Sequence, residues 1–138
     1  MPIDELQLFV DAKGLSRDHL HPRISQKVWG EFIRGQFDTA VFIAAKAVEV
    51  SVKEKTGIEE VGVSLMRTAF KKKIGPLSDT SINEGEQEAR MHLFAGFIGS
   101  YKNPGSHRDV DMENPIEAMQ VVMFASHLLH LIDQAGND

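Results

Sequence analysis

The chain has 138 residues, of which 42% are hydrophobic and 25% charged, and a formal net charge of −5. That length suits one domain with its own core, and the acidic balance argues against bulk electrostatic binding of nucleic acid while leaving a local basic cleft open. There is no cysteine, which excludes disulfides, thiolate metal sites and cysteine nucleophiles.

No positive region followed by an apolar run opens the sequence, so no secretory signal is expected. No uninterrupted apolar run approaches the roughly 20 residues needed to cross a bilayer. The expectation is a cytoplasmic protein with no membrane partner.

Residues 1–20 read as a segment packing on the remainder, with Leu6, Phe9 and Val10 at helical spacing from Asp4 to Val10. Residues 21–138 read as a single helical domain. Leu20-His21-Pro22-Arg23-Ile24 reads as an extended entry. A first firm helix is predicted from Ser25 to Arg34, with Ile24, Val28 and Phe32 on one stripe and Trp29 and Ile33 beside it. Gly35 suits its end.

The strongest helical pattern runs from Asp38, a good cap, to Lys55, with Gly57 as the stop. Val41, Ala44, Ala45, Val48 and Val52 share a face, and Lys46, Glu49 and Lys53 form a narrow polar stripe. A third helix is predicted over Ser64–Ile74, with Lys71-Lys72-Lys73 in its last turn, where cations complement the helix dipole. Gly75-Pro76 ends it, and residues 77–86 read as a polar loop.

A fourth helix is predicted over Glu84–Lys102, with Phe94, Phe97, Ile98 and Tyr101 on one face. Gly96 and Gly99 lie inside it at a cost of about 1 kcal/mol each relative to alanine. Close backbone approach to another helix is the expected reason. Pro104 disfavours the α region at Asn103, so this helix should stop near Lys102. Asn114-Pro115 then opens a last helix, with cap and first position in the favoured order, running to Gln134. It is apolar around most of its girth and so needs more than one partner, which points to a subunit interface. No stretch alternates with period two. The fold class is all-α, a bundle of four to five helices expected to form a homodimer.

The chemistry centres on Lys102-Asn103-Pro104-Gly105-Ser106-His107-Arg108. Pro104-Gly105 reads as a tight turn. It would gather two fixed cations, an imidazole, an amide and a hydroxyl in one neighbourhood, a set suited to a phosphate diester. By spacing alone, Lys-x4-His is common, and an ordinary interhelix turn explains it first. There Lys102 helps cap the preceding helix and His107 bonds to backbone.

Lys102-Asn103-Pro104-Gly105-Ser106-His107 resembles the Arg-x(4–6)-His motif of the HEPN superfamily, with the usual polar residue after the basic one. Together with Leu20-His21-Pro22-Arg23-Ile24 and the run from Phe37-Asp38-Thr39-Ala40-Val41 to Val48-Glu49, it resembles the Ymh-type family of uncharacterised prokaryotic proteins within that superfamily. The resemblance covers roughly residues 20 to 134 and reverses the preference for a plain turn. It implies an all-α, HEPN-like bundle that dimerises. It also implies metal-independent RNA cleavage in a cleft at the dimer axis, as in toxin–antitoxin and phage-defence systems. One departure stands out: lysine occupies the place of the usual arginine and lacks its planar fork. A binding-only descendant that holds RNA, a nucleotide or a partner protein is the alternative.

On this reading His107 is the general acid or base. Lys102 holds the phosphate and stabilises the transition state, and Asn103 orients the imidazole or the phosphate. Arg108 and Ser106 contact RNA. Glu49 reads either as a supporting partner of the motif's basic residues or as one member of an ordinary pair with Lys46 or Lys53, the second being preferred. RNA is the expected substrate or ligand, with an antitoxin or partner protein as a further expectation. His127 and His130, at i, i+3, lack the glutamates of a di-iron bundle and read as surface or interface residues. His21 reads as packing or bonding locally. No metal and no cofactor are expected.

Overall fold

The computed structural model describes residues 19–104 and 114–136. Five α-helices and one π-helical turn make up the described chain, with no strand among these residues. They are α1 (Pro22–Ile33), α2 (Phe37–Thr56), α3 (Gly62–Ala69), α4 (Glu84–Phe97), the π turn (Ile98–Lys102) and α5 (Pro115–Gln134). The fold is the expected all-α bundle. The short helix expected in residues 4–10 lies outside the described residues, as does nearly all of the N-terminal segment.

α2 is the central element. It packs against α5, α1, α3 and the π turn, while α3 also packs against α4. Its predicted stripe of Val41, Ala44, Ala45, Val48 and Val52 is buried throughout. From α1 the core takes Ile24, Val28 and Phe32, spaced four residues apart, and from α5 it takes Ala118, Val122, Ala125, Leu129 and Ile132. Phe70 and Phe94 stack with ring centroids 4.1 Å apart, closing the α3–α4 side.

Several predicted boundaries move, each for a local reason. Leu20–Ile24 is not an extended entry. Pro22 takes the first helical position, and the His21 ring accepts a hydrogen bond from Arg23 N, so α1 starts three residues early. Ile33 lies on the solvent side, 61% exposed. Gln36 rather than Asp38 occupies the cap of α2, and Asp38 sits in the first turn, where its carboxylate complements the dipole.

α3 ends at Ala69, five residues short of the prediction, because the chain folds back on itself. Leu77 N donates to the Ala69 carbonyl at 2.9 Å, and Lys73 takes a left-handed conformation with φ 68°. The three lysines therefore follow the helix rather than closing it. Lys72 and Lys73 pair with Glu84 at the start of α4. Leu77, expected in a polar loop, is buried.

Asn83 caps α4, accepting from Glu86 N while its amide donates to the Glu86 carboxylate. Asn114 and Pro115 open α5 as predicted, with the Asn114 side chain accepting from Ile116 N and Glu117 N. By length and composition α5 could cross a bilayer. In this bundle it is a core helix, with half of its apolar window buried.

Gly99 meets its expectation: a Cβ there would lie 3.3 Å from Val63 of α3. Gly96 does not, since a Cβ would meet nothing within 4 Å among the described residues. It forms the open floor of a groove between α4 and α5.

Candidate functional site

The motif begins where α4 changes its winding. From Ile98 to Lys102 the turn is π-helical, and Asn103 N donates to the Ile98 carbonyl five residues back. Asn103 keeps helical angles of −63° and −43° directly before Pro104, so the helix does not stop at Lys102 as predicted. A helical conformation before proline is disfavoured rather than forbidden, and the fold adopts it here at the end of the wider turn.

The same widening carries Lys102 towards α2. Its Nζ lies 3.1 Å from Glu49 Oε2, with only 15% of the lysine side chain and 9% of the glutamate side chain exposed. Glu49 Oε2 also accepts a hydrogen bond of 2.7 Å from Gly62 N, at the first position of α3. One buried carboxylate thus ties α2 to the start of α3 and to the end of the π turn. A negative charge suits both contacts, a cation and the N–H groups of a helix start. The preferred expectation, a pair of Glu49 with Lys46 or Lys53, is not what the fold adopts. Those lysines are exposed while Glu49 is buried.

Gly62 was not legible as a site residue. It has φ 64°, a conformation that side chains disfavour, and a Cβ there would lie 3.4 Å from Asn103 Oδ1. Lys102, Asn103, Glu49 and Gly62 therefore form one cluster. Ser106, His107 and Arg108 lie outside the described residues.

The family model described as "Protein of unknown function (Hypoth_ymh)" matches residues 18–132. The chain belongs to the Hypoth_Ymh family. No curated protein and no solved structure matches it.

Two other features of this Hypoth_Ymh chain involve α5. The first is a groove between α4 and α5 with a volume of about 570 Å³. Leu93, Tyr101 and Phe124 line it and are partly exposed, with Met123 also exposed on α5. The second lies at the far end of α5, where His21 Nε2 stands 2.7 Å from Asp133 Oδ2 and the His21 ring meets that of His130 edge-on. Sequence gave no signal for that pairing, because its members are more than a hundred residues apart.

Charge is also arranged on the α4 side. The Glu84 carboxyl is held below the usual glutamate range by its hydrogen bond from Lys73 and that cation's charge. Asp79 is lowered by the hydroxyl and backbone N–H of Ser81. Both groups are solvent-facing and serve the local turns.

Proposed function

We propose that this chain is a metal-independent endoribonuclease of the HEPN type, acting as a cytoplasmic homodimer and as a toxin or phage-defence effector. The observation that carries the reading is the Lys102–Glu49 pair at the end of the π turn. π turns inside α-helices recur at functional sites. Here the turn sets the motif's cation on a carboxylate anchored to two other helices, which fixes where the ammonium stands.

The chemistry follows from the substrate. Attack of a ribose 2′-OH on the adjacent phosphate needs a proton acceptor, a proton donor and a cation beside the developing charge. His107 supplies the proton transfer and Lys102 the cation, while Asn103 orients the reacting groups. Arg108 and Ser106 hold the neighbouring backbone. His107 lies five positions after Lys102, with four residues between them, a reach of at most about 17 Å when extended, so one phosphate can lie between them.

The partly exposed Leu93, Tyr101, Met123 and Phe124 on α4, the π turn and α5 support a dimer through that face. Sedimentation should give twice the chain mass, and Phe124→Glu should give a monomer. Incubation of labelled RNA with the wild type and with His107→Ala tests the activity itself. Loss of cleavage in the variant is expected, and equal rates would overturn the reading.

A second reading has its own support. Lys102 is mostly buried and already paired, and it replaces the fork of an arginine. A protein that binds RNA, a nucleotide or a partner protein without cutting fits that observation. If the wild type binds RNA without cutting it and Lys102→Arg creates cleavage, the second reading holds.

A further inference from the structure

We propose that His21, His130 and Asp133 form a binding site for one divalent transition-metal ion, clamping the start of α1 to the end of α5. One donor atom from each of the three residues lies within 4.8 Å of the others. Two imidazole nitrogens and a carboxylate suit zinc, cobalt or nickel far better than magnesium or calcium, which prefer all-oxygen sets.

The frame around the three residues is built before any ion arrives. Ser126, His130 and Asp133 follow i, i+4, i+7 on α5 and so share one stripe. Ser126 Oγ accepts the backbone N–H of His21 at 2.8 Å, which fixes His21 against that stripe. From α2, Lys55 Nζ donates to the carbonyls of Ile132 and Asp133 at 2.6 and 3.1 Å, holding the last turn of α5. His21 is mostly covered, whereas His130 and Asp133 are exposed. Those two can therefore rotate to draw the donors to the separations that metal bonds of about 2.0–2.2 Å require.

The ion-free hydrogen bonds give the site a distinctive signature. His21 Nδ1 accepts from Arg23 N at 3.0 Å, so the ring's proton resides on Nε2 and points at Asp133. Ligation through Nε2 requires that proton to move to Nδ1, with no net proton released from the ring. The Arg23 N–H then turns to solvent, since that contact is exposed. Binding should therefore reverse the His21 tautomer and shift the Arg23 amide.

The site is separate from the Lys102 cluster and does not depend on the ribonuclease reading. The test uses the full chain without a histidine tag, titrated with zinc and with magnesium. Calorimetry should give one zinc per chain and no magnesium binding, with a rise in melting temperature on zinc addition. His130→Ala and Asp133→Asn should each weaken zinc binding at least tenfold, and His127→Ala, off the stripe, should leave it unchanged. The nitrogen-15 spectrum should show His21 passing from the Nε2–H to the Nδ1–H form. Absence of zinc binding, equal affinity in His130→Ala, or an unchanged His21 tautomer at saturation would each overturn the proposal.

Discussion

Glu49 Oε2 and Lys102 Nζ stand 3.1 Å apart beneath the surface, and the same oxygen receives the Gly62 amide. Truncating one partner leaves the other charge poorly solvated, which costs about 3 kcal/mol for such pairs. Glu49→Gln and Lys102→Met should each destabilise the fold by that order. The double variant should lose less than the sum, because neither charge is then left alone. Urea unfolding of the four proteins measures the coupling.

Gly62 carries φ 64°, and its missing side chain makes room for Asn103. Gly62→Ala should cost about 1–2 kcal/mol from the left-handed backbone alone. It should also disturb Asn103, so the amide resonances of Asn103 and Lys102 should shift. Thermal unfolding and a backbone NMR spectrum check both outcomes.

Much of the fold was readable because its signals are local. The α2 stripe from Val41 to Val52 is a matter of spacing, and Asn114-Pro115 marks a helix start by residue chemistry alone. What failed depended on distant partners. α3 stops at Ala69 because a later amide, that of Leu77, takes its carbonyl. Glu49 had lysines at i−3 and i+4, so a local pair looked sufficient. Only the fold reveals that Glu49 faces inward, towards a lysine more than fifty residues away. Lys102 could be singled out from the sequence, but the π turn that carries it could not, since no residue type specifies that winding.

Ser51 Oγ is buried in α2 with no hydrogen-bond partner among the described residues. A buried hydroxyl without a partner carries its desolvation cost uncompensated. Ser51→Ala should therefore be neutral or stabilising, by up to about 1 kcal/mol, while substitutions at the neighbouring Val52 destabilise. Calorimetric melting of the two variants distinguishes them.

Glu84 titrates below the usual range because Lys73 bonds and attracts its carboxylate. A lowered folded-state value means this pair supports the fold above the ordinary glutamate range. That support fades as pH falls towards the lowered value. The pair is solvent-facing, so the effect on stability is small. The carboxyl carbon shift of Glu84 should show the low titration directly, and Lys73→Met should move it upward.

The most direct measurement is the end chemistry of RNA incubated with the purified protein in the presence of a chelator. Attack by the 2′-OH predicts fragments ending in a 2′,3′-cyclic phosphate and beginning with a 5′-hydroxyl. His107→Ala should slow their appearance by about 10²-fold or more, the usual weight of a general acid or base. RNA left intact by the wild type, or cut equally fast by His107→Ala, would contradict the account.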